Sequence, residues 1–526
     1  MKRKSNFERL LRRMKGTNKK LEKEQAALPQ PESAFSTDLK ENEKQLKKIL
    51  GTSQDVTYTK FKIKLEKSNH LLAMLVCIDG IIDEGAKRNN VLKPLVAKTF
   101  EKKPDDNLEQ IQMSLSTKKI ITETNISKAI DLLLKSHALL LVDGYHTALL
   151  IHIEGFETRS IEEPEAEKVV SGSREGFIES INVNLSLLRR RIPHPSLRFE
   201  TFEIGEFTKT KVVLCYVKDI AKQDVVERLK SRLRQIKIDE IESSGDIEQL
   251  IEDHPFSIFS TIGNTERPDN AAALMMEGRI IILVDGNPVS LYAPYFFAES
   301  FKSIEDYSSR PYYSSFTRII RIFAFIITII LPSMYIAALN FNKALIPSDM
   351  IVPIIQARET VPFPLAMEVL LIILMFEVVR EAGVRLPEQI GTAVSIVGPL
   401  ILGDVSVSAG IVGAPTVVIV SLSYIAVFVI TPIADACALI RVGLFIVTSI
   451  FGSYGLFVAL LGLLTHMVSL TSLGVPYMSP IAPFYFRDWK DTIVRFPTRS
   501  VNHRPKSVPN KRPLKVKSLP NTGDGK

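Results

Sequence analysis

The sequence predicts an α/β soluble N-terminal half of two similar subdomains, followed by an all-α polytopic membrane domain. Three observations predict this fold class. Charged residues are dense before Arg321 and after Arg487 but sparse between them. The intervening apolar runs are long enough to cross a hydrocarbon core of roughly 30 Å. The N-terminal half contains one pattern of strand and hairpin twice. At 526 residues, the chain is also too long for a single hydrophobic core.

Both ends of the chain are basic. Residues 1–25 contain ten Lys and Arg against three Glu, and residues 487–526 contain eleven against three Asp. Neither end interleaves aromatic residues with its charges, so we expect no nucleic-acid partner. Basic flanks are typical of the cytoplasmic side of a membrane protein. We therefore expect a disordered or helical arm over residues 1–50, a cytoplasmic tail over 487–526, and a lipid bilayer as partner.

The sequence gives no sign of catalysis, metal or cofactor. Cys77, Cys215 and Cys437 lie far apart in apolar runs, without a CxxC pair or a nearby histidine cluster. HExxH, GxSxG and phosphate-binding glycine loops are all missing from the sequence. An intramembrane enzyme would have only Asp404, Glu368 and His466 as catalysts. We therefore expect a protein that is not an enzyme and has no cofactor. We expect no signal peptide in the polar N-terminal stretch, which favours a cytosolic soluble half.

The repeated pattern is a strand followed by a hairpin. The first copy has a strand at residues 72–79 and two apolar runs around Asp143-Gly144, a usual hairpin signal. The second copy has a strand at 212–219 and repeats the hairpin at Asp285-Gly286, 142 residues later. We therefore predict α/β subdomains over 55–160 and 201–300, with a connector over 161–200 and a juxtamembrane linker over 301–318. The alternative for the repeat is a chance similarity of short apolar strands.

Several charged residues lie in the connectors. A role in coupling the parts of the chain is one hypothesis for them. For the arginine triplet 189–191, a solvated helix end and a contact with another subunit or with lipid headgroups are the alternatives. Residues 380–387 read as a charged turn. The candidate connector residues are Glu163, Arg189, Glu266, Arg267, Arg380 and Arg385.

The membrane domain is predicted over residues 319–486. Residues 319–339 form the first span, 365–379 a second, and 411–431 and 442–464 two more. Residues 390–403 are rich in glycine and proline and too short to span, which favours a re-entrant or broken segment. Two basic ends on one side require an even number of spans. Four spans plus this segment satisfy that rule, and six crossings are also compatible with it.

Three carboxylates lie in these apolar segments. A charge at bilayer depth costs about 2.5 to 3.5 kcal/mol on insertion scales. Glu368, Glu377 and Asp404 are therefore candidate functional residues. The alternative for the two glutamates is a position near the helix ends, at interfacial height.

Blocks of sequence along residues 60–497 resemble one known family, the A subunits of bacterial spore germinant receptors, or GerA family. In the soluble half the blocks are Glu163-Pro164, Gly176-Phe177, Arg189 to Arg191, Thr265 to Asp269 and Gly278-Arg279. In the membrane part they are Val361 to Pro364, Arg380 to Pro387, Ser395 to Gly398 and Gly474 to Pro480. Ser171, where the family usually has arginine, and Asp404, where many relatives have glutamine, depart from the pattern.

The resemblance implies a subunit of a nutrient-sensing germination receptor in the spore inner membrane, with both terminal regions on the cytoplasmic side. It implies assembly with a transporter-like B subunit and a lipoprotein C subunit. It also implies a homo-oligomer, with a pentamer as the expected size, that forms a nutrient-gated cation channel. The alternatives are a paralogous sporulation scaffold or channel that amplifies ion release without binding nutrient, and a small transporter.

The sequence suggests where such a channel would close. In residues 391–403 the small residues lie on one side, and Val397, Leu400 and Ile401 lie on the other. A ring of Leu400 side chains would make an apolar gate that closes by dewetting. These three residues are the candidate pore and gate.

Overall fold

The computed structural model describes residues 34–51, 53–66, 70–100, 107–115, 119–155, 163–164, 167–169, 172–386, 388–497 and 501–515. Its Cα positions divide into two compact units. The first comprises residues 1–251, 263–293 and 498–526, and the second comprises 252–262 and 294–497. The predicted arm before Ala34 lies outside the described residues.

The first unit is α/β. Its strands are β1 (Val56–Leu65), β2 (His70–Ile78), β3 (Thr99–Phe100), β4 (Ile120–Glu123), β5 (His137–Val142), β6 (Ala148–His152), β7 (Leu197–Ile204), β8 (Thr210–Val217), β9 (Gly263–Thr265), β10 (Ile280–Val284) and β11 (Ser290–Ala293). Its helices are α1 (Leu39–Leu50), α2 (Glu84–Ala86), α3 (Lys93–Ala97), α4 (Asn107–Ser114), α5 (Ile126–Leu133), α6 (Ile181–Arg191), α7 (Gln223–Gln235), α8 (Ser244–Ile251) and α9 (Pro268–Glu277), with a π-helical turn at Lys87–Leu92.

The strands form two sheets of related topology. Their orders are β3-β1-β2-β5-β6-β4 and β7-β8-β10-β11-β9. Without the short edge strand β3, the sheets have the same order and the same antiparallel neighbours. Both predicted Asp-Gly hairpins are present as β5-β6 and β10-β11. Gly144 and Gly286 have φ of 87° and 84°, a left-handed conformation that favours glycine.

The repeat begins earlier than the sequence indicated, because each copy includes the helix before its first strand. Asp143 accepts a hydrogen bond from the backbone N–H of Leu39 at 3.2 Å. Asp285, 142 residues later, accepts one from Ile181 at 3.3 Å. Leu39, Leu46 and Leu50 of α1 are buried in the core of the first sheet. The described end of the predicted arm 1–50 and the last part of the predicted connector 161–200 therefore belong to the sheets.

A buried ion pair joins the two copies. Arg189, at the end of α6, donates from Nε to Asp55 Oδ2 at 2.8 Å and from Nη2 to Oδ1 at 3.0 Å. Ser53 donates to the same carboxylate at 2.6 Å, and Phe199 N–H donates to the Ser53 hydroxyl. Arg189 is 2% exposed, so the solvated helix end considered for it is wrong.

The second unit is helical. Its helices are α10 (Glu305–Ser308), α11 (Pro311–Ile336), α12 (Ser348–Gln356), α13 (Leu365–Arg385), α14 (Glu388–Ser408), α15 (Ala414–Val427) and α16 (Ala434–Ser469), and β12 (Thr471–Ser472) and β13 (Val475–Pro476) form a small hairpin. A π-helical turn at Ala337–Phe341 extends α11.

Two sequence-based boundaries in this unit were wrong. Residues 380–385 are not a turn, since α13 continues to Arg385. The predicted broken segment 390–403 lies within one helix, α14, of 21 residues with Pro399 inside it. An internal proline removes one backbone hydrogen bond and need not end a helix whose neighbours hold it in place. The backbone of Gly391 approaches α13 so closely that a Cβ atom would lie 2.3 Å from the Gly383 carbonyl oxygen.

The helix α16 reverses direction at Gly452. Its φ of 62° and ψ of −149° are not helical, so residues 434–451 and 453–469 are separate limbs. Gly452 packs against Phe341 at the end of α11. The centroid of the His466 ring, in the second limb, lies 6.3 Å from that of the Phe259 ring. Phe259 contacts Phe297, and Phe297 contacts Phe325 in the middle of α11. The two limbs therefore form a helical hairpin.

Contacts between the helices show how each helix lies between the two ends of the second unit. We call the end with Asp306 and Arg318 the proximal end and the end with Tyr335 and Glu368 the distal end. Thr416, at the start of α15, contacts Tyr335 and Glu368, whereas Ser423 contacts Thr328 further along. Six helical segments run between the two ends: α11, α13, α14, α15 and the two limbs of α16.

The chain enters and leaves this helical region at the proximal end. Tyr295 N–H donates to the Ser472 hydroxyl at 2.9 Å, and Phe297 N–H donates to the Tyr477 carbonyl at 3.1 Å. In the described part of the chain, two helical stretches, Pro311–Phe341 and Thr431–Ser469, are long and apolar enough to cross a membrane. The four predicted spans therefore stay a prediction.

We predict that Arg189→Ala destabilises the first unit by about 3 to 5 kcal/mol, because it leaves Asp55 buried without its cation. Hydrogen exchange of the full chain, read in peptides that cover residues 53–65 and 181–200, measures the change.

Arg190→Ala is the matched control. Arg190 pairs with Glu175, and both side chains are 31% exposed, so its loss should cost no more than about 1 kcal/mol. Equal exchange in the two variants would contradict a structural role for the Arg189 and Asp55 pair.

Candidate functional site

Glu368 lies in the first turn of α13 and is fully buried. Arg358, in the loop after α12, contacts Oε1 of Glu368 with two nitrogens, Nε at 2.8 Å and Nη2 at 2.7 Å. The other carboxylate oxygen accepts from Gly413 N–H at 3.2 Å and from the Thr416 hydroxyl at 2.8 Å. The Tyr335 hydroxyl lies 3.3 Å from that of Thr416. One carboxylate thus joins α13 to α15 and to the loop after α12, and Thr416 links this site to α11.

Glu377 lies nine residues further along α13, in the middle of the helix. Its Oε1 lies 2.5 Å from Nη2 of Arg441, and its Oε2 lies 3.0 Å from Nε of Arg380. The guanidinium of Arg441 also stacks 3.8 Å from the centroid of the Tyr424 ring. Arg441 directly precedes the span predicted at residues 442–464, and it is a fully buried residue of α16.

The two glutamates fasten α13 on opposite sides. Nine residues are two and a half helical turns and about 13 Å along the axis. Glu368 faces the N-terminal end of α15, and Glu377 faces the first limb of α16. Removing one partner of a buried pair leaves an uncompensated charge and is far more costly than the net gain from the pair. These contacts hold the helices in one arrangement, unless the carboxylate and the arginine of a pair leave the buried site together.

Asp404 lies apart from both glutamates, on the exposed face of α14. Val397, Leu400 and Ile401 lie on the same face and are 46%, 71% and 55% exposed, with Val405 one turn further on. These residues follow the spacing of one helical face. We call this set, Val397, Leu400, Ile401, Asp404 and Val405, the α14 stripe. The structure therefore brings the three candidate pore residues together with Asp404.

The opposite side of α14 is closely packed. A Cβ atom on Gly398 would lie 2.9 Å from a methyl group of Val379 in α13, and one on Gly403 would lie 3.0 Å from Val417 in α15. Close approach on this side leaves the α14 stripe facing away from its own unit. The predicted separation of small and large residues thus follows from helix packing, although the segment is a continuous helix.

The candidate connector residues of the first unit fall into two environments. Arg267 is fully buried and donates to Asp269, to the Ser173 carbonyl and to the Glu167 carbonyl. Glu266 precedes it and donates its backbone N–H to the Glu167 carboxylate, where burial raises the pKa. Glu163 instead pairs at 3.3 Å with Arg174, both largely exposed. Arg189 and Arg267 therefore lie in packed junctions, and Glu163 does not.

The two candidate arginines of the second unit also differ. Arg380 pairs with Glu377 and lies 3.8 Å from Asp435. Arg385 pairs with Glu381 one turn earlier on the exposed end of α13. Only Arg380 belongs to the buried network of α13.

A third charged cluster lies at the proximal end and was not apparent from the sequence. Arg318 of α11 is fully buried and donates to Asp306 at 2.8 Å and to Asp491 at 3.1 Å. Arg321 donates to the same Asp306 carboxylate at 2.9 and 3.0 Å. We call these residues, Asp306, Arg318, Arg321 and Asp491, the proximal cluster. The signal in the sequence was the pair of arginines at the start of the predicted first span.

Fold and site together define a class of protein. A duplicated α/β unit precedes a helical unit with internal ion pairs and a largely apolar surface. Among the described residues, no group of three or more His, Cys, Asp or Glu side chains is placed to hold a metal ion. The ion pairs of the helical unit lie between helices and fix how these pack.

A sequence model of one family, described as Bacillus/Clostridium GerA spore germination protein, matches residues 44–507. The chain therefore belongs to the GerA family of spore germination proteins, and the resemblance found in the sequence is confirmed.

Individual relatives agree with this assignment. Spore germination protein KA of Bacillus subtilis is 39% identical over 90% of this chain and 87% of its own length. Spore germination protein GerLA of Bacillus cereus is 35% identical over 89% and 95%, and the uncharacterized membrane protein YfkQ of Bacillus subtilis is 37% identical over 90% and 91%. A comparison with solved structures matches the N-terminal domain of the A subunit of the Bacillus megaterium spore germinant receptor GerK3, known from a crystal structure. The two sequences are 36% identical, the match covers 50% of this chain and 98% of that chain, and the TM-score is 0.40.

We predict that Glu368→Gln lowers the stability of the second unit by about 2 to 4 kcal/mol. This lies toward the lower end for a broken buried pair, since Arg358 keeps some exposure. Thermal unfolding followed by the fluorescence of Trp489, the single tryptophan, measures the effect.

Glu381→Gln is the matched control, because Glu381 pairs with Arg385 at the exposed end of the same helix. The double substitution of Glu368 and Arg358 to glutamine should recover part of the loss, since neither charge is then left unpaired. A double variant as unstable as the sum of its single variants would show that the ion pair is not what holds this site.

Proposed function

We propose that this protein is the A subunit of a nutrient-responsive germination receptor, whose copies assemble around the α14 stripe to form a cation channel. The observation that carries the proposal is the α14 stripe itself. It is an exposed face of large apolar side chains with one carboxylate, on a helix whose other side is closely packed. Surrounded by copies of itself, such a face lines a pore, in which apolar rings hold back water and a carboxylate attracts cations.

The buried ion pairs of α13 give this channel a closed state. Glu368 and Glu377 hold α13 against α15 and α16, and α14 follows α13 through Leu386 and the next residue of the chain. A movement that separates either pair would displace α14 along with α13. Packed helix interfaces of this kind are bistable rather than continuously deformable.

Six traverses of the membrane fit the geometry of the second unit. Its helical segments run between the proximal and distal ends, and the chain enters and leaves at the proximal end. An even number of crossings also agrees with the two basic ends of the sequence. We therefore place the α/β unit and the basic tail on the cytoplasmic side of the spore inner membrane, with six crossings in preference to four.

The proposal includes partners. By family resemblance, a transporter-like B subunit holds the nutrient and a lipoprotein C subunit completes the receptor, and five copies of this chain are the expected ring. Copurification of a B-type subunit from spores would support the receptor. A ring isolated without one would favour the scaffold or channel that amplifies ion release.

We predict that Leu400→Ala increases ion leak through the resting protein by about tenfold, the change that a barrier lower by about 1.4 kcal/mol produces. A smaller apolar ring wets more readily and closes less tightly. Conductance of the purified oligomer in planar bilayers, and potassium release from spores without nutrient, measure the leak.

Leu461→Ala is the matched control, since Leu461 is an exposed leucine of the second limb of α16, away from the α14 stripe. Unchanged resting leak and unchanged nutrient-triggered release in Leu400→Ala would place the gate elsewhere.

A further inference from the structure

The described part of the C-terminal tail packs on the second α/β subdomain. Asn510 forms an antiparallel bridge with Ala221, and Lys511 N–H donates to the Ile220 carbonyl at 2.8 Å. On the other side, Asn510 and Pro509 lie against Gly278. We call residues 501–515 the tail segment, and we call the surface formed by Ile220, Ala221, Met276 and Gly278 the tail groove. Both belong to the first unit.

The first subdomain has an equivalent groove with a different occupant. There, Glu154 forms an antiparallel bridge with Ile82, and Gly155 N–H lies 3.5 Å from the Ile81 carbonyl. Ile81 and Ile82 follow β2 as Ile220 and Ala221 follow β8, so the two bridges correspond. In the first copy, the occupant is the chain that continues directly from β6. In the second copy, the chain after β11 leaves for the helical unit, and the tail segment takes its place.

Polar contacts hold the tail segment. Arg504 is 8% exposed, and its Nε donates to the Met276 carbonyl at 2.5 Å. Its Nη1 donates to the carbonyls of Arg512 and Leu514, which folds the segment around the guanidinium. Val508 supplies a fully buried apolar side chain. Gly278 is needed on the facing side, since a Cβ atom there would lie 3.0 Å from Asn510 and its φ is 112°.

We propose that the tail groove is a peptide-docking site, whose ligand is the tail segment of the same chain, bound in cis and released without unfolding of the subdomain. The specificity of the site comes from Arg504 and Asn510, whose side chains hydrogen-bond to backbone groups of the groove and of the segment. The mode is addition of an extended peptide to exposed backbone groups, in which main-chain hydrogen bonds supply binding and few side chains select the sequence. Since few apolar side chains are buried, the segment binds more weakly as a free peptide than when it is tethered.

This proposal does not depend on channel activity. It gives the last part of the chain a second attachment. The first is Asp491 in the proximal cluster, and the residues that follow Asp491 continue into the tail segment. A tethered ligand is present at an effective concentration on the order of millimolar, which keeps a weak site filled. Release of the tail segment would free residues 501–515 from the second α/β subdomain.

The first experiment tests where the tail segment binds and whether it binds to its own chain. In the full chain, Ala221→Cys with Asn510→Cys places two thiols at bridge partners, whose Cα separation of about 4.5 to 5.5 Å suits a disulfide. We expect an oxidised monomer with the two peptides linked. The control pair is Ile82→Cys with Asn510→Cys, which tests the corresponding groove of the first copy and should not link. Links between two chains, or no link in the first pair, would overturn docking in cis.

The second experiment tests whether the site binds a free peptide. A fluorescent peptide of residues 501–515 is titrated into the chain that lacks residues 498–526, and anisotropy is measured. We expect binding to this variant, with at least about tenfold weaker binding to the full chain, whose own tail segment competes. Size exclusion and circular dichroism confirm that the shortened chain is folded.

Two peptide variants of equal charge separate recognition from simple attraction. Arg504→Ala should weaken binding at least about tenfold, because it removes the buried guanidinium. Lys515→Ala should change binding little, because Lys515 pairs at 3.3 Å with Glu277 at the partly exposed edge. Equal losses, or no binding of the unmodified peptide to a folded shortened chain, would overturn the proposal.

Discussion

A guanidinium group that has left water must keep its carboxylate and carbonyl partners, and this requirement fixes how distant parts of the chain meet. Arg189, Arg318 and Arg441 are all almost fully buried. Their partners, Asp55, Asp491 and Glu377, lie 134, 173 and 64 residues away in the sequence. Arginine does not lose its proton in a protein, so each burial would cost several kcal/mol without these partners. Other arrangements of the same segments would leave buried charges unpaired.

Duplication explains the α/β unit, and divergence explains its relation to the rest of the chain. Both copies use an aspartate at the hairpin to cap a helix that begins 104 residues earlier. Both also leave backbone groups exposed after their second strand. The first copy pairs these groups with the chain that continues from β6. The second copy sends that chain to the helical unit, and the C-terminal tail satisfies the groups instead. A need for backbone hydrogen bonds thus brings the C-terminal tail to the second subdomain.

Local signals in the sequence predicted part of this fold well. The two Asp-Gly hairpins depend on neighbours in the chain and on a left-handed turn, so they were visible without a structure. The family was also visible, because blocks of ordered spacing do not depend on knowing the fold. The helix boundaries near Arg385 and Pro399 were not. Glycine and proline usually end helices, but here the glycines lie where α13 and α15 approach, and packing outweighs local preference.

The sequence by itself determined the division into a charged α/β half and an apolar helical half, the duplicated hairpins, and the shared side of Val397, Leu400 and Ile401, since composition and periodicity are properties of short segments. Only the tertiary structure decided which charges are buried and with whom. It separated Asp404 from Glu368 and Glu377, revealed the proximal cluster, turned α16 back at Gly452, and placed the tail segment in its groove. These features depend on groups far apart in sequence, whose pairing is set by desolvation and close packing in three dimensions.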